Sequence, residues 1–340
     1  MSQYIIIERI GVQNANCIAG FTWGFPAITH FLGFMHHIER QISESFSVTL
    51  KGCAVVYHSG HVHAYQSKPM HDFEFTQSKN PPYLPRHDPS ANAPIIEEGR
   101  MNMTVSLIIK LDREFVGHSE AKNALEDKIT ELCQFGRLAG GTILDFKSIA
   151  LKTLRNEREA SLFLRQTKRK LMPGFVLRDR AELLEQHFEQ LKKTKSKAEL
   201  LDAWLDFSAL KYKAIPKLAN TNDTPDENTE AEWQRCARPF ARGWLVPLMV
   251  GYKAISPLYE PGEVTNVRDE TIPTCFVEAV HSIGEWQSLH RITDIDSAIW
   301  HHSLNDKWYL CKQKTENQDK TPQEPISNEN ISFDDLLTNI

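Results

Sequence analysis

The order of the apolar-patterned segments in the first 146 residues limits the fold more than any other feature of this chain. Residues 4–10 (YIIIERI) predict a buried strand, and a polar stretch of small residues, GVQNANCIAG, follows it. Pro26 then opens a helix running to about residue 40. Ile28, Phe31, Leu32, Met35 and Ile38 share one helical face, and proline suits a first helical turn. Residues 48–58 (VTLKGCAVVYH) and 100–111, where MNMTVSLIIKL partly alternates, are the second and third strands. A second helix spans 119–135 with Ala124, Leu125, Ile129 and Leu132 as its buried stripe, and GRLAGGTIL turns into a fourth strand. Strand, helix, strand, strand, helix, strand is the ferredoxin-like order, a topology that RNA-recognition modules also use. The expected class is α+β: a ferredoxin-like palm from residues 1–58 and 98–146, interrupted by an insertion and followed by a C-terminal α/β extension.

The insertion, residues 59–97, carries six prolines with several histidines and lysines and predicts no regular element. Residues 147–217 read as a basic helical segment. Between 147 and 197 there are 14 Lys or Arg against 6 Asp or Glu, a local charge of +8 in a chain whose net charge is -5. Leu177, Ala181, Leu184, Phe188 and Leu191 recur at helical spacing. Lys192, Lys193, Lys195 and Lys197 follow at the end, where cations also suit the negative pole of a helix. Arg165, Lys168, Arg169 and Lys170 sit just before Pro173 and Gly174, and so compact a cationic patch on an acidic chain suggests a polyanion held in a groove. Residues 218–232 carry five acids and no base and read as an acidic linker. Residues 233–312 form the C-terminal part of the binding fold, and 313–340 read as a disordered acidic tail.

Several chemistries are excluded by what is missing. His37-Ile38-Glu39 spells the H-x-E of a zinc deaminase, but no P-C-x-x-C follows. His58, His61 and His63 lie close in sequence without a carboxylate or thiolate at ligand spacing, so no metal is expected, and no other cofactor. Neither G-x-S-x-G nor H-E-x-x-H occurs. The six cysteines are scattered, with no C-x-x-C pair, as in a reduced cytoplasmic protein. No apolar run approaches the roughly 20 residues that cross a bilayer, so no membrane partner is expected and the cytoplasm is the predicted location.

The candidate binding residues follow from chemistry suited to single-stranded RNA. Gln13, Asn14 and Asn16 offer amides that read base edges, and Trp23 and Phe25 offer rings for stacking. The competing readings are that the asparagines stabilise a turn and that the two rings pack in the core. In LAGG, Gly140 and Gly141 let the backbone approach a phosphate or simply make a tight turn. Arg100, Arg137, Lys170 and Arg268 are the expected phosphate ligands. Tyr252 and Ser256 lie in a proline-flanked loop, GYKAISPLY, while Trp244, Tyr259, Trp286 and Trp300 are expected to pack.

Four blocks carry a resemblance to a known family: QNANCIAGFTWGFPAITHFLGFMH; EEGRMNMTVSLII with GRLAGGTIL; LMPGF at 171–175; and RGWLVPLMVGYKAISPLYEPGEVTNVRD followed by FVEAVHSIGEW. Together they resemble the Csy-two family, the RAMP-type subunit of the type I-F CRISPR surveillance complex. The resemblance implies a non-catalytic subunit that holds the 5′ handle of the CRISPR RNA, pairs with the large subunit at the tail and abuts the first backbone subunit. It thereby contributes to antiviral DNA targeting through the assembled complex. It also implies that the palm is of the RRM/RAMP type and that residues 59–97 form a thumb over the RNA. This chain carries no fused large subunit, as some transposon-associated relatives do, so it is expected to recruit one, and its tail matches no family motif. The alternative is a metal-independent CRISPR RNA endonuclease of the RAMP superfamily, with His30, His36 or Tyr57 as general acid or base. A third reading is a single-strand binder that works alone.

Overall fold

The computed structural model describes residues 1–79, 95–217, 226, 229–240, 243–305 and 307–314. The expected acidic tail from 315 onward, and most of the linker between 218 and 228, lie outside the described residues. The first strand, β1, runs over Ser2–Asn16, well past the expected end at residue 10. The polar continuation stays in the sheet because bulges at Arg9 (φ 51°) and Asn14 (φ 56°) absorb the breaks in alternation. A miniature hairpin follows, β2 (Ile18–Ala19) with β3 (Thr22–Trp23). Helix α1 (Ile28–Phe46) then leads to β4 (Thr49–Val62).

The insertion is not featureless. Its described part contains β5 (Ala64–Gln66), β6 (Phe73–Lys79) and β7 (Ile95–Glu98), paired in that order, while residues 80–94 lie outside the description. β8 (Arg100–Arg113) and α2 (Ser119–Phe135) match expectation in extent. The buried stripe of α2 is Leu125, Ile129 and Cys133, not Ala124, which is exposed, or Leu132, which is half-buried. The short β9 (Arg137–Leu138), β10 (Gly141–Asp145) and an additional β11 (Ser148–Leu154) come next.

The region read as a basic helical segment alternates helix and strand: α3 (Glu157–Leu171), β12 (Phe175–Asp179), α4 (Ala181–Thr194), α5 (Leu200–Ser208) and β13 (Tyr212–Pro216). Leu177 therefore belongs to a strand and not to the helix that the spacing suggested. It is buried in β12 between β4 and β16, and the helix starts only at Ala181. β14 (Ala231–Arg235), which takes up the end of the expected linker, pairs with β13. The chain finishes with β15 (Trp244–Ala254), β16 (Val277–Ser288), β17 (His301–Asn305) and β18 (Trp308–Lys312). Gln313, placed at the start of the tail by sequence, is anchored: its amide donates to the carbonyls of Leu177 and Ala298 at 2.9 and 2.8 Å.

One antiparallel sheet of eleven strands organises this mixed α/β fold, in the order β17-β18-β15-β16-β12-β4-β8-β1-β10-β9, with β11 paired to β1. The N-terminal strands stand in the order β4-β8-β1-β10, every neighbour antiparallel. Sequence alternation on β8 separates the two faces. Met103, Val105, Leu107 and Ile109 join the core built with α1 and α2, while Ile108 joins a second core with Phe163 and Leu171 of α3. α4 and α5 close the far half over Leu245 and Ile283.

The second face is pinned at its edge by Asp296, which accepts from the Tyr4 hydroxyl at 2.6 Å and from the Lys110 ammonium. Burial pushes the Asp296 carboxyl up, but those two donors and the lysine charge outweigh it and hold the group below the usual range. The pin therefore contributes fully above the ordinary carboxylate pKa and is lost as pH falls through the lower folded value. Asp296→Asn is expected to cost about 1.5–3 kcal/mol at pH 7, and the gap between variant and parent should shrink in unfolding curves taken toward pH 3.

Candidate nucleic-acid interface

α3 covers only part of the second face. Along β8 that face carries Lys110, Ile108 and Ser106 under cover, then Thr104, Asn102 and Arg100, which are half-buried or exposed. The change from buried to open polar positions occurs between Ser106 and Thr104. Register defines the neighbours of the open part. Thr104 lies opposite Ser59 and Gly11, Asn102 opposite His61, Arg100 opposite Asn16, and Gln13 opposite Thr142. The result is an apron of polar side chains across four strands, with Arg137 exposed at one edge and Asp145 standing over Gly11.

The structure brings Gln13, Asn14, Asn16, Arg100, Arg137, Gly140 and Gly141 together at this end of the sheet. Gln13 and Asn14 are exposed, and the backbone N–H of Asn14 donates to the Asn102 side-chain oxygen at 3.1 Å. Asn16 is used locally. Its side chain brackets Ile18, accepting from that residue's N–H at 3.1 Å and donating to its carbonyl at 3.3 Å, and it sits 3.4 Å from His30. Arg100 shares its charge with Glu98 at 3.4 Å. Trp23 is partly exposed, and its ring lies 4.2 Å from that of Phe75 in the insertion. Phe25 is spent on packing, with Phe31, Tyr57 and Trp286 around it at 4.8–5.6 Å, which favours the core reading of that ring.

The glycine-rich turn is a two-residue hairpin. Leu138 pairs with Gly141, and Ala139 (φ 51°) and Gly140 (φ 73°) are both left-handed, as a type I′ turn requires. A side chain at Gly140 meets open space, whereas a Cβ at Gly141 falls 2.6 Å from the Gln13 carbonyl and 2.7 Å from the Ala15 nitrogen. The two glycines therefore serve different needs. Gly140→Ala is expected to cost about 1–2 kcal/mol from backbone conformation alone. Gly141→Ala, which forces β10 away from β1, is expected to cost more than that and to perturb the amide resonances of Gln13 to Ala15. Equal melting points for the two variants would contradict the assignment.

A second cationic group borders the apron. Glu8 is buried, and Lys170 and Lys147 approach it at 2.7 and 3.8 Å. Burial pushes the Glu8 carboxyl up, but hydrogen bonds from Lys170 and Ser148 and the two ammonium charges hold it below the usual range. Arg9 reaches the Met172 carbonyl at 3.2 Å, and its own N–H donates to the Ser106 hydroxyl at 2.7 Å. That hydroxyl also contacts His58, whose other ring nitrogen meets the Pro173 carbonyl at 2.8 Å. Burial lowers the His58 pKa. Sequence reasoning finds Lys170, considers His61 only as a metal ligand, and misses Arg9, Lys147 and Asn102; for Asn102 the polar alternation N-x-T-x-S in β8 is the available signal.

The remaining candidates lie elsewhere. Tyr252 packs beside Ala19 and Ala279, with its ring 6.5 Å from Tyr309. Ser256 accepts from the Phe276 N–H at 2.9 Å and donates to the Pro257 carbonyl, so it fixes its own loop. Arg268 is exposed on a separate loop. Trp286 and Trp300 are core residues as expected; Trp244 packs on Phe175 at the sheet surface and is 36% exposed, and Tyr259 meets Phe276 edge-on. The three alternative candidates for a general acid or base have different neighbours: His30 lies beside Asn16, His36 against His302, and Tyr57 between Phe25 and Trp286. Among the described residues no group of three or more metal-ligating side chains occurs, all six cysteines are free thiols, and no helix is long and apolar enough to cross a membrane.

The family model described as CRISPR-associated protein (Cas_Csy2) matches residues 5–311. The CRISPR-associated protein Csy2 of Pseudomonas aeruginosa (strain UCBPP-PA14) is 34% identical over 313 residues, covering 89% of this chain and 92% of that protein. A match that takes in β1, the apron and the C-terminal strands alike leaves one reading: this chain belongs to the Cas_Csy2 family of CRISPR-associated proteins.

Proposed function

We propose that this chain is a non-catalytic RNA-holding subunit of a type I-F CRISPR surveillance complex, in which the polar apron and its cationic border grip the 5′ handle of the CRISPR RNA. The observation that carries the proposal is the uncovering of the sheet between Ser106 and Thr104, which exposes amide and hydroxyl side chains flanked by Arg9, Arg137 and Lys170. Open sheet faces of this kind, with neighbouring rings and cations, suit single-stranded RNA. The strand order β4-β8-β1-β10, all antiparallel, with α1 and α2 on one side, supports reading the N-terminal unit as a ferredoxin-like palm of the RAMP type. The contact of Trp23 with Phe75 supports treating residues 59–97 as a thumb beside the RNA path. In this reading the large subunit and the first backbone subunit are the protein partners, target DNA is met through the assembled complex, and the site of action is the cytoplasm.

The test separates base reading from charge. Asn14→Ala is expected to reduce discrimination between the cognate handle and a scrambled RNA by about 1–3 kcal/mol, a range borrowed from bidentate base contacts in DNA. Arg137→Ala is expected to weaken both RNAs alike and to lower the salt slope by about 0.7, the single-strand value for one phosphate. Loss of thermal stability in Asn14→Ala with an unchanged cognate-to-scrambled ratio would reduce Asn14 to a shaper of the β1 bulge.

A further inference from the structure

Where β4 leaves the apron and the chain turns into β5 and β6, a cleft of about 470 Å³ is lined by His61, His63, Tyr65, Glu74, Thr76 and Gln77. Its volume lies in the range of small-molecule sites. His61 stands opposite Asn102 across β4 and β8, so the cleft continues the apron. Phe75 also lines it, and the Phe75 ring rests against Trp23, whose indole in turn lies over Gly99: a Cβ at Gly99 would come within 2.8 Å of that ring. The aromatic contact ties the insertion to the hairpin after β1 and gives one side of the cleft an apolar backing.

We infer that this cleft receives one unstacked guanine base of the bound RNA. The argument is one of donor and acceptor chemistry. The lining supplies a carboxylate, two imidazoles, the hydroxyls of Tyr65 and Thr76 and an amide, and no lysine or arginine is among the described residues lining it. Among the described lining residues the Glu74 carboxylate has no ammonium or guanidinium beside it and would repel a phosphate, so these residues suit a base better than the backbone. Guanine offers two adjacent N–H donors, at N1 and N2, which one carboxylate accepts together, and its O6 accepts from an imidazole or amide N–H. Uracil lacks the paired donors, and adenine lacks the oxygen. The cleft thus sets base identity at one position, whereas the apron beside it provides general grip.

This inference rests on RNA running over the apron, and the experiment separates the two. The probes are labelled RNA octamers read by fluorescence anisotropy with the full chain: all-uridine, uridine with a single guanosine walked through the eight positions, and the same series with inosine, which lacks the 2-amino group. One guanosine position is expected to tighten binding about tenfold, in the lower part of the range for a bidentate contact, and inosine there should forfeit most of the gain. Glu74→Gln should abolish the guanosine preference while leaving all-uridine affinity unchanged. Equal binding of all three series, or a preference that survives in Glu74→Gln, would overturn the guanine site and leave the apron reading standing. Absence of binding to any octamer would overturn both.

Discussion

Replacing Trp300 by alanine is expected to cost about 3–5 kcal/mol of stability, the range for truncating a large aromatic side chain in a close-packed core. Trp300 is fully buried, and its indole N–H donates to the Leu177 carbonyl at 3.0 Å. Its backbone forms a bridge with Cys53, each N–H donating to the other's carbonyl at 2.9 Å. The approach is so close that a side chain at Gly52 would overlap the Trp300 carbonyl, with a Cβ only 2.1 Å away. The Leu177 carbonyl keeps the Gln313 amide in the variant, so an unsatisfied polar group is not the main penalty. The cost is the cavity between β4 and the C-terminal strands. Trp300→Phe, which restores much of the volume and not the N–H, is expected to recover most of the loss in urea unfolding. A change below about 1 kcal/mol in the alanine variant, small beside that range, would show that the two halves of the sheet do not brace each other here.

Lys170→Ala is expected to destabilise the free protein by about 3 kcal/mol, the lower end for breaking a buried pair, because half of the lysine side chain is solvated. It leaves buried Glu8 with Lys147 at 3.8 Å as its remaining ammonium. The sign with pH follows from the lowered Glu8 pKa. In the parent, the pair stabilises above the ordinary glutamate range, and that contribution disappears as pH falls through the folded value. The variant's deficit should therefore be largest near neutrality and shrink toward pH 3. Glu8→Gln combined with Lys170→Ala should recover part of the loss, since no charge is stranded. A deficit of equal size at pH 3 and pH 7 would exclude the pair as its source. The consequence for binding assays is practical: Lys170 is a poor probe of phosphate contact, because its removal also disturbs β1, whereas Arg137 on the exposed edge carries no such burden.

The sequence revealed those elements whose periodicity is uninterrupted. α2 and β8 stand where the pattern placed them, because seventeen residues of helical spacing and a run of alternating apolar residues leave little ambiguity. The apolar pattern ends β1 six residues early because its second half is polar on the open face and is broken by left-handed residues at Arg9 and Asn14, which a two-residue period does not accommodate. The spacing places Leu177 in a helix because a short apolar run ahead of an amphipathic helix extends its period by chance. Only the pairing of β12 between β4 and β16 resolves it. The strands of the insertion were hidden by proline and polar residues, as edge ribbons usually are. At the site, residue types identified the amides and Arg137, but the local engagement of Asn16 and Phe25, and the meeting of Trp23 with Phe75, depend on contacts between distant segments that no spacing records.

The position of β12 bears on how the chain is made. β4 gains β8 on one edge once that strand has been made, while its other edge waits for β12, more than a hundred residues downstream, and for the Trp300 bridge later still. Loop closure over such separations is slow, and until it happens the nascent chain presents an open, apolar strand edge. α1 and α2 can shield one face of that early sheet, but the face that α3 later covers stays bare until about residue 171 has been synthesised. Synthesis at about 5–20 residues per second makes the interval from the end of β8 to that point about 3–12 seconds, time in which a holding chaperone would have its clearest target on the exposed edge of β4.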